Sequence, residues 1–192
     1  ISRRSFVQRM VALGLTAPMA STMLMHSGVA QAQVASTYKP TKRGGGGALR
    51  VLWWQGATLL NPHFATGTKD QEGSRIFYEP LAAWDAEVVL VPVLAAEIPS
   101  VANGGLSKDG KTVTWKLKRG VTWHDGKPFT ADDCVFNWEY VKDPATSAVW
   151  ISSYSNVVVK KIDSHTVEVT YQKATPFWAD PFCGTRGAIL PK

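Results

Sequence analysis

The clearest alternation of hydrophobic and polar positions lies in the middle of the chain. Between residues 112 and 118, threonine or lysine alternates with an apolar set, Val113, Trp115 and Leu117. A period of two predicts a strand with one buried and one solvated face. Residues 157–162 and 166–171 predict a hairpin across the turn between them, with one apolar face made of Val167, Val169 and Tyr171.

Helical spacing follows the segment Thr130-Ala131-Asp132-Asp133, which resembles a capping box. Cys134, Trp138 and Val141 lie at i, i+4 and i+7, so they share one face of the predicted helix. Asp143-Pro144 is expected to end it, because proline cannot continue a helix.

Two further elements are predicted nearer the start of the chain. Leu49–Trp54 is short and apolar, which is typical of a buried strand, and Gln71–Ala83 is predicted to be a helix that Pro80 limits near its end. The elements are short and lack regular β–α–β alternation. This indicates a mixed α+β and α/β fold, built as α+β lobes rather than one doubly wound sheet.

The net charge of +6 changes this picture little. Arg3, Arg4 and Arg9 lie in an acid-free leader, and without these three the 21 basic residues fall to 18, against 15 acidic ones. The remaining charge is scattered and too mild to indicate a nucleic-acid partner.

The leader has the features of an export signal. Arg3 and Arg4 form the paired arginines of a twin-arginine signal, and a weakly hydrophobic run follows from Met10 to Ala30. Small residues at Ala30 and Ala32 predict cleavage after Ala32, so that 1–32 is the signal peptide. Residues 33–48, which include four consecutive glycines, are predicted to form a flexible linker.

One motif that would suggest phosphate binding is rejected. Residues 105–112 match G-x-x-x-x-G-K-[ST], but a P-loop must lead into a helix, whose N-terminus holds the phosphates. Here the motif leads into the alternating strand, so Asp109-Gly110 is interpreted as a hairpin turn.

No catalytic or metal-binding pattern is present in the sequence. It contains no G-x-S-x-G segment, and its four histidines include no pair at metal-ligand spacing. The two cysteines, Cys134 and Cys183, are expected to fill gaps in the core, although an oxidising compartment would permit a disulfide between them. We therefore expect no enzyme activity, no cofactor and no metal.

Aromatic residues are the remaining candidates for chemistry. The chain has eight tryptophans, of which Trp115 and Trp138 are assigned to the core by their spacing. Trp53, Trp54 and Trp150 border loops, where an aromatic face can line a ligand cleft.

Seven segments occur in the order and approximate spacing typical of one protein family. They are Asn61-Pro62-His63, Tyr78-Glu79-Pro80-Leu81, Val91-Pro92-Val93-Leu94-Ala95, residues 109–117, residues 121–133, residues 162–167 and Ile189-Leu190-Pro191-Lys192. On these segments the chain resembles the family 5 (peptide/nickel-type) extracytoplasmic solute-binding proteins of ABC transporters. Because it starts at Ile1 and is shorter than family members, we expect an N-terminal fragment.

The resemblance implies a two-lobed periplasmic binding protein type II fold with an extra small domain. Residues 49–77 would begin lobe I, 78–162 would form the extra domain, and 163–192 would return to lobe I. The second lobe would be absent from this chain.

The resemblance also implies where a ligand would bind. The loop Thr66-Gly67-Thr68 matches a stretch that pairs with the ligand backbone, and Trp150 matches an aromatic position at the border of the cleft. Trp54 precedes the Asn61-Pro62 motif and is included as a third ligand contact.

The implied function is capture of a di- or oligopeptide in the periplasm, by a monomer that delivers it to an ABC permease in the membrane. Nickel, a metal chelate, a sugar or an opine are alternative solutes. A secreted hydrolase with its catalytic residues elsewhere, and an export-linked chaperone or sensor, are alternatives of other classes.

Overall fold

The structure is a computed structural model that describes residues 46–48 and 50–192. The signal residues Arg3 and Arg4, the cleavage position after Ala32 and residues 33–45 of the linker lie outside the described residues. The helices are α1 (Thr68–Ser74), α2 (Ala131–Lys142) and α3 (Ile151–Tyr154), and the strands are β1 (Ala82–Trp84), β2 (Leu90–Pro92), β3 (Thr112–Lys116), β4 (Val157–Asp163) and β5 (Thr166–Tyr171).

The core lies between a three-stranded antiparallel sheet and α2. The sheet has the order β3-β5-β4, and Trp115 on β3 faces Val167 on β5. Both side chains are fully buried, as the alternation predicts. Cys134 and Val141 are buried on α2, whereas Trp138 is partly buried and donates from its indole nitrogen to the carbonyl of Val157 at 3.1 Å.

The predicted start of α2 and the predicted hairpin of β4 and β5 are confirmed. Thr130 caps α2 in a capping box with Asp133, and Asp143 ends the helix before Pro144. Residues 112–116 form a strand and not a helix, and Gly110 has a φ of 68° in the turn before it. The phosphate-loop motif thus lacks a helix N-terminus, which confirms its rejection.

The predicted helix over residues 71–83 is wrong in its second half. Helix α1 ends at Ser74, and Ala82–Trp84 form strand β1 instead. Pro80 has no N–H for a helix, and the amide of Leu81 donates to the carbonyl of Phe182 at 2.8 Å. Long-range pairing at Leu81 therefore replaces the local helical hydrogen bonds.

The predicted buried strand over residues 49–54 is also not observed. Residues 50–54 form no strand, and the side chains of Val51, Leu52 and Trp54 are exposed by 70%, 98% and 71%. A strand requires a neighbouring strand for its backbone hydrogen bonds, and no described strand pairs with this segment.

Cys134 and Cys183 are both buried and free. Burial raises the pKa of each thiol, because the ionised form cannot be solvated in the core. This confirms the interpretation that they fill core gaps.

In the part of the chain that the structure describes, no helix is sufficiently long and apolar to cross a membrane.

Candidate functional site

The loop Thr66-Gly67-Thr68 is held at the start of α1. Gly67 precedes the helix, and its carbonyl accepts hydrogen bonds from the amides of Asp70 at 3.1 Å and Gln71 at 3.0 Å. Thr66 and Thr68 are exposed on either side of it. The backbone is therefore fixed while two hydroxyl side chains remain available to solvent.

Helix α1 also fixes the segment that precedes the loop. The carboxylate of Asp70 accepts hydrogen bonds from the amides of Thr58 at 2.7 Å and Leu59 at 3.1 Å. The hydroxyl of Ser74 lies 3.1 Å from the carbonyl of Leu60. Hydrogen bonding from Lys69, followed by that from Thr58, lowers the pKa of Asp70 to about 2, so this carboxylate is ionised at neutral pH.

Trp150 lies immediately before α3 and contacts a cation. The guanidinium of Arg186 is 4.4 Å from the centre of the Trp150 ring. The indole nitrogen of Trp150 is buried and has no hydrogen-bond partner among residues 46–48 and 50–192. One edge of this ring thus packs inward, and a charged group covers its face.

Two of the three predicted ligand contacts belong to connected segments. The amide of Val149 donates to the carbonyl of His63 at 2.9 Å, which joins the Trp150 segment to the chain three residues before Thr66. Trp54 is exposed, and no hydrogen bond or ring contact of the described residues links it to Trp150. These positions stay predictions as ligand contacts.

A buried polar network beside Trp150 was missed at the sequence level. Nε2 of His63 lies 2.8 Å from Oδ1 of Asn137, and this oxygen also accepts the amide of Leu190 at 2.9 Å. The Asn137 side-chain amide donates to the carbonyls of Asp133 at 2.7 Å and Leu190 at 2.8 Å. His63 and Asn137 are buried, so the hydrogen bond between them is shielded from water, whereas the two bonds to Leu190 are partly buried.

Asp133 extends the network to the segment after Leu190. One carboxylate oxygen accepts the amide of Lys192 at 3.0 Å, and the other accepts the amide of Thr130 at 2.8 Å in the capping box. The sequence contained a usable signal, since the His63 and Leu190–Lys192 segments are both family motifs and Asp133 and Asn137 are four residues apart on one helix.

The histidine of this network is held neutral. Burial lowers the pKa of His63 below 6.5, and the hydrogen bond with Asn137 opposes this only in part. Because Oδ1 of Asn137 is an acceptor, Nε2 carries the proton, and Nδ1 is buried with no partner in the described part of the chain. His63 thus serves to connect segments and is shielded from any solute.

Two open depressions lie elsewhere on the surface. They have volumes of about 290 and 420 Å³ and share Phe77, Trp123 and His124. Neither is lined by Trp54, Trp150 or the loop at 66–68. In the described residues no three His, Cys, Asp or Glu side chains cluster as metal ligands. The exposed hydroxyls, the indole ring and the Arg186 cation are suited to noncovalent contacts.

Comparison with known proteins identifies the family. Residues 89–191 match the family described as bacterial extracellular solute-binding proteins, family 5 Middle. The periplasmic oligopeptide-binding protein OppA of Escherichia coli K12 is 30% identical over an alignment of 137 residues, which covers 62% of this chain and 24% of OppA. The glutathione-binding protein GsiB of the same strain is 33% identical over 123 residues, which are 64% of this chain and 22% of GsiB.

Solved structures share the fold. Haemophilus influenzae OppA in complex with the peptide RPPGFSPFR gives a TM-score of 0.63 at 25% identity, over 71% of this chain and 29% of that one. The pheromone receptor PrgZ gives 0.64 at 25% identity, over 72% of this chain and 30% of that one. The described residues therefore have the fold of part of a type II periplasmic binding protein.

The chain spans about a quarter of the length of the curated relatives that it matches. The family match nevertheless covers more than half of its residues, including the whole three-stranded sheet and α2. This chain belongs to the bacterial extracellular solute-binding proteins of family 5.

Proposed function

We propose that the protein is the extracytoplasmic receptor of an ABC importer and captures a di- or oligopeptide-like solute for a membrane permease. The observation that carries the proposal is the family match over residues 89–191. Support for a peptide comes from OppA of E. coli and from H. influenzae OppA, which was solved with a bound peptide. The receptor acts outside the cytoplasm as a monomer, and Arg3 and Arg4 direct its export by the twin-arginine route.

The proposed ligand contacts are Trp54, Trp150 and the loop Thr66-Gly67-Thr68. The support is physical, because α1 holds the loop rigid and the His63–Val149 hydrogen bond brings the Trp150 segment beside it. A receptor with preformed contacts loses less conformational entropy when it binds. Noncovalent capture needs no catalytic group, so we assign no enzyme activity.

The domain assignment is likewise a proposal, with one boundary moved. Residues 49–77 belong to lobe I, and the extra domain begins at residue 78. Strand β5 (Thr166–Tyr171) is the central strand of a sheet with β3 and β4. A boundary after residue 162 would divide this sheet, so we place the return to lobe I after Tyr171.

A small organic acid is the second candidate solute. The support is the protein MoaA, solved in complex with mannopinic acid, which is 28% identical with a TM-score of 0.61. NikZ of Campylobacter jejuni, solved with Ni(L-His), is 24% identical to this chain, and this similarity supports the fold alone.

The test is ligand identification on the full-length protein that contains this chain. We expect mass spectrometry of co-purified small molecules to detect a peptide, and a library of di- to pentapeptides to contain members that raise the melting temperature. Ligand at a hundredfold excess over its Kd adds about 2.7 kcal/mol to the free energy of unfolding, which such a scan detects. The peptide assignment fails if no peptide co-purifies and none stabilises the protein.

A further inference from the structure

An exposed arginine is stacked on the tryptophan that we propose as a ligand contact. The Arg186 guanidinium lies 4.4 Å from the centre of the Trp150 ring. Arg186 is exposed, and it forms none of the ion pairs within 4.0 Å that the described residues make. A stacked guanidinium keeps the N–H groups at its edge available, and their planar fork matches the two oxygens of a carboxylate.

Trp150 and Arg186 are attached to one rigid support. Tyr154 on α3 and Phe182 are both fully buried, and their rings meet edge to face with centroids 5.4 Å apart. The amide of Phe182 also donates to the hydroxyl of Tyr154 at 3.2 Å. Tyr154 lies four residues after Trp150, and Phe182 lies four residues before Arg186. The contact between Tyr154 and Phe182 therefore fixes the distance between the Trp150 ring and the Arg186 guanidinium.

The turn that carries Arg186 packs closely against the backbone of Phe182. A Cβ at Gly187 would lie 2.1 Å from the carbonyl carbon of Phe182, so only glycine fits there. The amide of Gly187 donates to the carbonyl of Cys183 at 3.1 Å. Arg186 thus stands on a closed 3-10 turn (Gly184–Gly187) instead of a flexible loop.

Asp180, whose carboxyl feels the charge of Arg186, does not neutralise it by direct contact. The positive charge of Arg186 acts on Asp180, but burial outweighs it and raises the pKa of that carboxyl. No oxygen of Asp180 lies within 4.0 Å of the guanidinium, since the described ion pairs do not include these two residues. An incoming carboxylate would therefore not have to displace an existing ion pair.

We propose that the Trp150–Arg186 pair is a carboxylate-binding subsite, in which Arg186 receives a carboxylate group of the captured solute. The inference rests on the proposed function and narrows its substrate class to solutes with a free carboxylate near an apolar or aromatic group. It names a further specificity-determining residue, Arg186, beside the proposed contact Trp150.

The test compares peptide acids with their amides on the full-length protein. A library of di- to pentapeptides is measured by calorimetry, each member as the free acid and as the C-terminal amide. A charged hydrogen bond contributes on the order of 10- to 100-fold in affinity, so we expect acids to bind at least about 10-fold more tightly than amides. In Arg186→Gln this preference should fall to about onefold.

Two further variants serve as controls. Arg186→Lys keeps the charge but loses the planar fork, and we expect intermediate discrimination. Arg119→Gln removes another exposed positive charge, one that makes no ring contact among the described residues, and it should keep the wild-type preference. Melting temperatures of all variants without ligand confirm that each one is folded.

The outcomes separate the subsite from the function. If peptides bind and Arg186→Gln keeps the preference for acids, or if acids and amides bind the wild type equally, the subsite is overturned while the peptide receptor stands. If no peptide binds the wild type in either form, the proposed function fails and the subsite fails with it.

Discussion

At the scale of single residues, three distant segments meet at the side chain of Asn137. Its amide nitrogen donates to the carbonyl of Leu190. Its oxygen accepts hydrogen bonds from the amide of Leu190 and from Nε2 of His63. His63 and Asn137 are buried and Leu190 is half-buried, so loss of the Asn137 side chain would leave the buried N–H of His63 without a partner. An unsatisfied buried polar group costs about 1–3 kcal/mol, so the Asn137 side chain contributes to the free energy of unfolding.

The neutral state of His63 predicts a loss of stability in acid. Its pKa in the folded state lies below 6.5, so below that pH the unfolded state binds more protons and the free energy of unfolding falls. The slope for one proton cannot exceed about 1.4 kcal/mol per pH unit. We expect the melting temperature to fall between about pH 7.5 and pH 5.5, and less so in His63→Leu.

A matched variant makes this test specific. His124 is exposed, and His124→Gln should retain the full pH dependence of the wild type. Equal pH dependence in His63→Leu and the wild type would show that another group is responsible. Asp70 does not interfere, because its pKa of about 2 confines its contribution to a more acidic range.

Residue roles were only partly predictable from the sequence. The buried face of β3 was predictable, because alternation along the strand itself determines that Trp115 points into the core. Asn137 lies in the middle of a helix, and its partner Leu190 is 53 residues away. Local periodicity carries no information about such a partner. The stacking of Arg186 on Trp150 was not predictable for the same reason.

At the scale of elements, the predictions succeeded where local chemistry decides the structure. Helix α2 begins at its capping box and ends before Pro144, and the hairpin pairs as its alternation indicates. The predictions failed where tertiary pairing decides. Residues 82–84 pair with β2 rather than continue a helix, and residues 50–54 have no described strand beside them.

The cap of α2 gives a prediction at this scale. The Thr130 hydroxyl accepts the amide of Asp132 at 3.3 Å. Thr130→Ala removes this acceptor and should lower the free energy of unfolding by about 1 kcal/mol, whereas Thr130→Ser should change it by only a few tenths. Urea denaturation at neutral pH measures both. Equal losses in the two variants would exclude the capping hydroxyl as the cause.

At the scale of the whole molecule, exposed apolar side chains are concentrated in one part of the sequence. Leu52 and Trp54 are exposed by 98% and 71%, and Ile76 by 77%. Curated relatives are about four times as long as the part of them that this chain matches. Large exposed apolar patches are uncommon on monomeric soluble proteins and promote association.

This distribution predicts dye binding by the 192-residue chain. We expect the fluorescence of a hydrophobic dye such as ANS to rise with the chain, and to fall when Leu52, Trp54 and Ile76 are replaced together by serine. The control replaces Val101, Ile162 and Phe177, which are exposed by 52%, 57% and 67% but dispersed. An equal fall in both triple variants would contradict a localised surface.

The hydrogen bonds of Asn137 also have a consequence for the order of folding. The His63–Asn137 bond closes a loop of 74 residues, and the bond to Leu190 closes one of 53. Closing long loops is entropically costly, so contacts of this kind form late and slow the reaction. During synthesis from the N-terminus, Asn137 is made 53 residues before Leu190, so its side chain lacks this partner until Leu190 has been added. The hydrogen bonds of Asn137 can therefore be completed only after Leu190 has been synthesised.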